Sequence, residues 1–217
     1  MYLPKHFEET RPEVLHELVR AQPLALLITL GERGLDANPI PLILDADPAG
    51  GPGILRGHVA RANPVWREAR GDVEALAVFQ GPQAYISPSF YPSKADGGKV
   101  VPTWNYVTVH GRGSLRAVDD ADWLRAFVTR LTERHEGPRA APWAVSDAPD
   151  DYIATMLRAI VGIEIVLTSL VGKWKVSQNR PAADRAGVVR GLEDDATRDA
   201  HAQAAAMAAL VASGASA

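Results

Sequence analysis

The chain has 217 residues, of which 47% are hydrophobic and 23% charged, and it has no cysteine, so disulfides, thiolate metal sites and cysteine nucleophiles are excluded. Its net charge is −3 with both signs interspersed, which argues against a dedicated DNA-binding domain, because such domains carry a basic stripe. The longest apolar run is too short to cross a bilayer and the start has no secretory pattern, so we expect a cytoplasmic protein with no membrane partner.

The N-terminal part predicts a helix and a hairpin. Thr10 begins the helix and Pro23 ends it. The continuous apolar run 24–30 predicts a buried strand, and residues 35–44 predict its hairpin partner. Prolines interrupt this second strand, and prolines within a strand indicate an edge, a bulge or backbone exposed to something else.

The rest of the chain alternates long strands with helices. In chain order the sequence predicts a strand over 54–59, a helix from 63 to about 70, a strand over 73–86, a polar loop over 87–99, a strand over 100–118, a helix capped by Asp119 or Asp120, a helix over about 150–159, a strand over 161–176, a short helix starting at 180–181, and an alanine-rich helix over about 194–211. We find no repeat and no domain boundary. The expected architecture is mainly β: one mostly antiparallel barrel domain over 1–217 with peripheral helices and a C-terminal helical extension from about residue 181.

The first of three segments that carry chemistry joins a strand to a helix. The strand presents Arg56 and His58 on one face, and Asn63 then starts the helix, with Arg61 between them. A helix N-terminus offers free N–H groups to an anion, so this junction suits a phosphate. The alternative is simple capping with solvated arginines.

A second segment is the last strand and the turn after it. Alternation sends Lys173, Lys175 and Ser177 to one face and Trp174 to the other. Polar residues able to cap or bind follow, before a proline at the first helical position. The alternative is that Trp174 fills the core while the lysines face water.

The third segment, residues 101–110, places Thr103 and Asn105 beside valines on one face of a strand. Buried polar groups need partners, and a flat heteroaromatic ligand with carbonyl and N–H edges would supply them. An ordinary neighbouring backbone would serve as well. The adjoining loop 85–92 adds aromatic and hydroxyl groups, and it suits either a lid or a dimer contact.

Several common motifs are missing from the sequence. It has no dinucleotide-binding glycine pattern, no phosphate-binding loop and no nucleophile elbow. Its six histidines show no metal-ligand spacing, so we expect no metal site. A hydrolase or a nucleoside triphosphatase therefore has no support, and the catalytic residues, if any, are unknown.

Five segments resemble the PaiB family of FMN-binding negative transcriptional regulators. They are MYLPKHF at the start, GHVARANP at 57–64, ISPSFY at 86–91, VPTWNY at 101–106 and KWKVSQNR at 173–180. The resemblance runs from residue 1 to about Leu192, in the same order and spacing.

The resemblance implies a homodimeric split β-barrel with FMN in a groove at the interface. By analogy with that fold, backbone at 38–42 faces the isoalloxazine, the junction at 57–63 meets the phosphate, and the partner's TWNY strand closes the other side. The dimer also has a physical rationale, because a second copy can cover an open barrel edge. The cofactor-binding residues expected for FMN are Asn38, Pro39, Ile40, Pro41, Arg56, Gly57, His58, Arg61, Asn63, Ser87, Thr103, Trp104, Asn105, Lys173, Gln178 and Arg180.

Three functions follow from these expectations. The leading hypothesis is an FMN-binding regulator with a possible DNA operator site as partner, although the sequence shows no helix-turn-helix. The second is a flavin-dependent oxidoreductase of small molecules. The third is a haem-binding split barrel, in which His58 or His110 would be an axial ligand.

Overall fold

The structure is a computed structural model that describes residues 1–68, 72–197 and 204–213. Within these residues the strands are β1 (Glu8–Glu9), β2 (Leu24–Gly31), β3 (Gly34–Pro41), β4 (Ile43–Asp45), β5 (Ile54–Ala60), β6 (Ala75–Ile86), β7 (Thr103–Val118) and β8 (Ile160–Lys175). The helices are α1 (Pro12–Ala21), α2 (Val65–Glu68), α3 (Ala121–Glu136), α4 (Asp150–Arg158), α5 (Ala182–Thr197) and α6 (Ala204–Ala212). Short 3₁₀ turns occupy Lys5–Phe7, Pro88–Phe90, Pro92–Ala95 and Val145–Asp147.

All eight described strands belong to one sheet. Its order is β3-β2-β6-β7-β8-β5-β4, and β1 pairs with β8 outside this path. The registered pairs are antiparallel: Leu26 lies opposite Pro39 on β3 and Val78 on β6, and His58 lies opposite Gly162 on β8. The mainly β architecture with peripheral helices expected from the sequence is confirmed.

The chain divides into two compact units that share the long strands. The first unit comprises residues 1–18, 80–109 and 171–217, and the second comprises residues 19–79 and 110–170. In the first unit, Met207 and Val211 of α6 are buried. In the second, Leu124, Val145, Ile153 and Leu157 form an apolar cluster between α3 and α4. The single domain expected over 1–217 stays a prediction. The chain contains two compact units, and β6, β7 and β8 each contribute residues to both.

The first hairpin differs from its prediction in two respects. The run 24–30 forms β2 but is not buried on both faces, since Leu24 and Leu26 are 63% and 40% exposed while Ala25 and Leu27 are fully buried. The expected strand 35–44 is interrupted at Leu42, whose N–H donates to the carbonyl of Pro23 at 2.8 Å instead of continuing the ladder. The interruption follows the prolines of β3, which have no N–H to donate.

The central elements agree closely with the sequence analysis. Asp120 caps α3, with its carboxylate accepting from the N–H of Trp123 at 2.7 Å. The helix expected from residue 63 to about 70 is α2, which ends at Glu68, and residues 69 and 70 lie outside the described residues. The polar loop 87–99 contains two of the 3₁₀ turns.

The C-terminal helices were predicted less well. The short helix expected after residue 181 is the long α5, so residue 194 lies inside a helix rather than beginning one. The alanine-rich helix predicted over 194–211 agrees with α6 in its C-terminal part. Residues 198–203 of this prediction lie outside the described residues. Within the described part of the chain, every helix is too short or too polar to traverse a lipid bilayer.

Candidate functional site

The sequence-predicted site residues fall in both units. The second unit contains Asn38, Pro39, Ile40, Pro41, Arg56, Gly57, His58, Arg61 and Asn63. The first unit contains Ser87, Thr103, Trp104, Asn105, Lys173, Gln178 and Arg180. Each group is described in its own unit below.

The strand β3 and the junction after β5 meet through an amide pair. Asn63 Nδ2 donates to Asn38 Oδ1 at 2.9 Å, and Asn38 Nδ2 donates to Asp36 at 3.0 Å. Asn63 Oδ1 accepts from the N–H of Val65 at 3.0 Å, which caps the single turn of α2. The sequence placed Asn38 and Asn63 in one site, and the structure brings them together. Their amides are used in holding β3 against the junction.

Gly57 and His58 lie on β5 in different surroundings. A Cβ on Gly57 would lie 2.7 Å from Leu42 Cδ2 and 3.0 Å from the carbonyl of Pro41, so only glycine allows the chain after β3 to approach so closely. The ring of His58 packs edge-on against Phe127 at 5.9 Å between centroids. Its Nδ1 is buried and forms no hydrogen bond within the described residues, and burial lowers the pKa of His58. Burial therefore favours the neutral imidazole of His58 over its charged form.

Arg61 is engaged by the protein itself. Its guanidinium donates to both carboxylate oxygens of Asp119 at 2.7 and 2.6 Å and to the carbonyls of Arg158 and Ile160 at 2.8 and 3.0 Å. The hydrogen bonds between the two side chains raise the pKa of Arg61 and lower the pKa of Asp119. The arginine was expected to be solvated or bound to phosphate, but it ties the junction to β8 and to the end of β7.

Arg56 is also paired with carboxylates. It donates from Nε to Glu164 at 2.6 Å and forms an ion pair with Asp45. Glu164 is only 2% exposed and also accepts from Arg116 Nε at 2.7 Å, while Asp45 pairs with Arg130 at 3.0 Å. Burial alone raises the pKa of Glu164, but the hydrogen bonds and charges of its two arginines outweigh burial and hold this pKa below its ordinary value. We call these five residues the arginine–carboxylate cluster.

Ser87 begins a loop that is held on α5 within the first unit. Its hydroxyl accepts from the N–H of Ser89 at 3.2 Å. Further along, Ser93 donates from N and Oγ to the buried carboxylate of Asp184 at 3.1 and 2.8 Å. Two glycines of α5, Gly187 and Gly191, leave space for Phe90, where any Cβ would collide with its carbonyl or its ring. The loop is therefore packed against the C-terminal extension.

The strand β7 begins with Thr103 and Trp104. Lys175 Nζ donates to the hydroxyl of Thr103 at 2.6 Å and to the carbonyl of Trp104 at 2.5 Å. The indole of Trp104 is 50% exposed and meets Tyr85 edge-on at 6.0 Å between centroids. This pair offers an exposed aromatic surface, while the hydroxyl of Thr103 accepts a hydrogen bond from the ammonium group of Lys175.

Asn105 and Gln178 shape the turn after β8. Asn105 is 1% exposed, and its amide donates to the hydroxyl of Ser177 at 2.9 Å. Ser177 has a φ of 64°, in the left-handed region that residues other than glycine rarely adopt. The side chain of Gln178 folds back on the same turn, accepting from the N–H of Val176 at 2.8 Å and donating to the carbonyl of Trp174. Both amides are therefore committed to the turn.

Lys173 contradicts the alternative interpretation, in which the lysines of β8 face water. Lys173 and Trp174 are each 6% exposed, so both faces of β8 are covered at this point. Lys173 Nζ donates to the carbonyl of Tyr2 at 3.0 Å and lies 5.2 Å from the ring centroid of Tyr106. Arg180 stacks over Tyr91, with its Cζ atom 4.9 Å from the ring centroid.

Three residues that matter for these arrangements were not among the predicted site residues: Glu164, Lys175 and Tyr106. Glu164 stands in an apolar run of β8, where a lone carboxylate signals a buried ion pair, although its partners cannot be read from the pattern. Lys175 shares a face with Lys173 by alternation, and this signal was available. Tyr106 was visible only as part of the TWNY motif.

A protein-family model described as "Putative FMN-binding domain" matches residues 1–169 of the chain. Among curated proteins, an uncharacterized protein of Aspergillus fumigatus is 35% identical, over 89% of this chain and 91% of that protein. The Bacillus subtilis protein named protease synthase and sporulation protein PAI 2 is 30% identical, over 90% of each chain.

Solved structures with the same fold are more distant in sequence. The FAD and haem binding protein from Mycobacterium smegmatis matches with a TM-score of 0.55 and 17% identity, over 77% of this chain and 73% of that chain. A flavocytochrome from Azotobacter vinelandii matches with a TM-score of 0.56 and 11% identity, over 80% and 72% of the two chains. These likenesses establish the split-barrel fold, and the sequence matches establish the family. The chain belongs to the PaiB family of proteins with an FMN-binding domain, as its motifs predicted.

Proposed function

We propose that this protein binds FMN as a homodimer and acts as a negative transcriptional regulator of the PaiB type. The family, with its FMN-binding domain, and the split-barrel fold support this function. A cytoplasmic location is part of the same proposal. When bound, a flavin supplies hydride and electron chemistry at its ring. The residues described above offer it apolar surface, backbone and positive charge.

The observation that carries the proposal is an exposed apolar face on the second unit. The side chains of Leu24 and Leu26 stand on the exposed face of β2, and Leu26 has Pro39 and Val78 directly opposite on the neighbouring strands. Residues opposite one another in an antiparallel pair share a face. A contiguous apolar sheet face is costly to leave in water, at about 25 cal/mol for each Å².

The same face borders a sheet edge. In the described sheet no strand is hydrogen-bonded to β3 on its outer side, although β5 approaches residues 40–42 closely at Gly57. A flat ring with carbonyl and N–H groups along its edge can pack on such a face and bond to such a strand. A second copy of the chain would then cover both the ring and the leucines. The single strand edge and the leucine face therefore support one arrangement, FMN at a dimer interface.

The test is the visible absorption spectrum of the purified protein before and after addition of FMN, with the mass measured in solution. We expect one FMN per chain in a dimer. The Leu26→Lys variant should be monomeric and bind FMN at least about tenfold more weakly, since it charges the apolar face. Tyr152→Lys, at a side chain that is 55% exposed on α4, is the matched control. A monomeric protein without flavin uptake would overturn the proposal.

The regulatory role needs a separate measurement, because it rests on the family alone. A regulator should retain specific operator DNA, and the affinity should fall steeply with salt. Oxidation of reduced nicotinamide by the FMN-loaded dimer, without DNA retention, would instead favour the oxidoreductase hypothesis. Both assays use the same preparation, so a single batch of protein distinguishes the two functions.

A second candidate, haem binding, is favoured by two histidines of the second unit. The Nδ1 atoms of His58 and His110 are both buried without a hydrogen bond in the described residues, and burial lowers the pKa of both imidazoles. Neutral imidazole is the form that ligates iron. Of the two solved structures named above, one is of a haem-binding protein and the other of a flavocytochrome. Haem uptake with a Soret band that disappears in His58→Ala or His110→Ala would establish this function, and no uptake would exclude it.

A further inference from the structure

Three cations gather at the end of β8 in the first unit. Lys173 and Lys175 stand on the same face of the strand, and the positive charges of Lys173 and Arg180 lower the pKa of Lys175, after the larger effect of burial. The ring of Tyr106 lies between the two lysines, 5.2 Å from one Nζ and 6.0 Å from the other. We call Lys173, Lys175 and Arg180 the cationic cluster.

No carboxylate among the described residues pairs with the two lysines of this cluster. The ammonium groups are bonded to the carbonyls of Tyr2 and Trp104 and to the hydroxyl of Thr103, and Arg180 lies on an aromatic ring. Asp184, the acidic residue nearest to Arg180 in the sequence, accepts two hydrogen bonds from Ser93 and keeps its negative charge, which acts, after the larger effect of burial and together with the positive charge of Arg180, on the pKa of Tyr91. Lys173 faces Glu8 across the β1–β8 pair, but Glu8 is exposed and forms no described ion pair with it. The two lysines therefore stand together without a described counter-charge.

The turn that carries Arg180 is built at a cost in backbone strain. Ser177 is held with its φ at 64° by the amide of Asn105, and the side chain of Gln178 hydrogen-bonds to the backbone of Trp174 and Val176 just before it. The N–H of Arg180 closes the turn onto the carbonyl of Ser177 at 2.9 Å. Strained backbone that its surroundings enforce is a feature of ligand sites. Here the strain fixes a guanidinium beside two ammonium groups.

Lys173 is buried and Lys175 is half-buried, and ammonium groups removed from water without an opposite charge are unfavourable, so a bound anion would remove that penalty. We propose that the cationic cluster is a phosphate site, with Lys175 and Arg180 as its main ligands. In its choice of ligand this site rests on the proposed function, under which the phosphate is that of an FMN held at the dimer interface, so the ring and the phosphate need not contact the same chain. Lys173 adds a further positive charge. The hydroxyl of Thr103 orients Lys175 by accepting a hydrogen bond from its ammonium group.

This assignment replaces the phosphate contacts expected at the strand–helix junction. Arg56 and Arg61, the arginines expected there, already bind three carboxylates and two carbonyls. The helix that follows them is a single turn, too short to add much dipole. The cations of the first unit have no such partners, so they gain more from an anion.

The experiment compares FMN with riboflavin, which has the same ring system but no phosphate. Dissociation constants are measured by flavin fluorescence for the full chain and for Lys175→Met, Lys175→Arg and Arg180→Met. Lys94→Met, at an exposed lysine of the same unit, is the matched control. The full chain and the control should prefer FMN by about tenfold to hundredfold, as expected for charge-assisted hydrogen bonds.

We expect Lys175→Met and Arg180→Met each to lose at least about fivefold in FMN affinity with unchanged riboflavin affinity, and Lys175→Arg to retain most of the preference. Unchanged FMN affinity in both methionine variants overturns the site. A parallel loss of FMN and riboflavin also overturns it, because the residues would then support the ring or the fold. Circular dichroism of each variant identifies any that fail to fold, and the other variants then decide.

If neither flavin binds to the full chain, the proposed function fails, and inorganic phosphate tests the site by itself. Phosphate should raise the melting temperature of the full chain and of Lys94→Met more than chloride does at equal ionic strength. The rise should vanish in Lys175→Met. An equal rise in all three proteins, or none in any, overturns the phosphate site independently of the flavin.

Discussion

In the second unit Arg56, Arg116 and Arg130 surround two carboxylates, whereas in the first unit Lys173, Lys175 and Arg180 surround none. Each cluster contains one buried charged residue of β8, Glu164 in the second unit and Lys173 in the first. The difference lies in the counter-charge. The arginine–carboxylate cluster is complete within its own unit, while the cationic cluster has only neutral oxygens and aromatic rings for partners.

The comparison separates two uses of a buried cation. A guanidinium bonded to a buried carboxylate fixes strands, because removing either group leaves the other uncompensated. A cation that is packed but not neutralised keeps its attraction for an anion from outside. The residue type does not distinguish the two uses, since Arg180 and Arg56 are both arginines. Their neighbours distinguish them.

The largest effect should come from breaking the arginine–carboxylate cluster. Glu164→Gln leaves Arg116 without its carboxylate and Arg56 with Asp45 alone, and we expect the free energy of unfolding to fall by about 3 kcal/mol. Urea denaturation of the variant measures this loss, with the exposed Glu133→Gln of the same unit as control. Equal stability of the two variants would show that the cluster is not a structural support.

A smaller effect should follow from completing the cationic cluster. Thr103→Asp places a carboxylate beside Lys175, and we expect it to raise the stability of the flavin-free protein by about 1 kcal/mol relative to the uncharged Thr103→Asn. The same carboxylate should weaken FMN binding while leaving riboflavin binding unchanged. If Thr103→Asp is no more stable than Thr103→Asn, the lysines already have a counter-charge.

The two clusters should also respond to opposite ends of the pH scale. The folded pKa of Glu164 lies below its ordinary value of 4.5, so its contribution is present above pH 4.5 and is lost as the pH falls through the folded pKa. The folded pKa of Lys175 lies below 10.5, so folding becomes more favourable as the pH rises from the folded pKa towards 10.5. The groups facing Lys175 are Lys173, Arg180, Tyr106 and Thr103, and none is a carboxylate.

Unfolding curves at a series of pH values test this difference. Glu164→Gln should flatten the acid side of the stability profile alone, and Lys175→Met should flatten the alkaline side alone. Because other lysines and tyrosines titrate above pH 9, the informative quantity is the difference between each variant and the unaltered chain. Identical alkaline profiles for Lys175→Met and the unaltered chain would contradict the uncompensated ammonium.

The sequence predicted the strands and helices well because their signals are local. Asp120 followed by an apolar periodicity is enough to begin α3, and the β-rich run after residue 100 is enough for β7. Burial was predicted less well. Whether Leu26 faces water, or whether Lys173 is covered, depends on what lies above each face of the sheet, and no local pattern contains that information.

The charge partners were beyond the sequence for the same reason. Arg56 and Glu164 are 108 residues apart, and Arg61 and Asp119 are 58 apart. The segment 56–64 contains Arg56 and Arg61, and it indicates a phosphate site only because their carboxylate partners cannot be read from the sequence. Family membership is read from motifs, but the role of each basic residue depends on pairings that only the folded sheet brings about.

The smallest change in stability is expected when the partner of Arg61 is replaced. This variant tests whether Arg61 links elements of the fold or binds a ligand. Its pair with Asp119 is partly exposed, at 34% and 53% for the two side chains, and Arg61 keeps its bonds to two carbonyls when Asp119 is replaced. Asp119→Asn should therefore lower stability less than Glu164→Gln does. The variant also removes the charge that neutralises Arg61. If Arg61 held the phosphate, its release would tighten FMN binding relative to riboflavin. Because the cationic cluster holds it instead, we expect the ratio of the two dissociation constants to stay as it is in the unaltered chain.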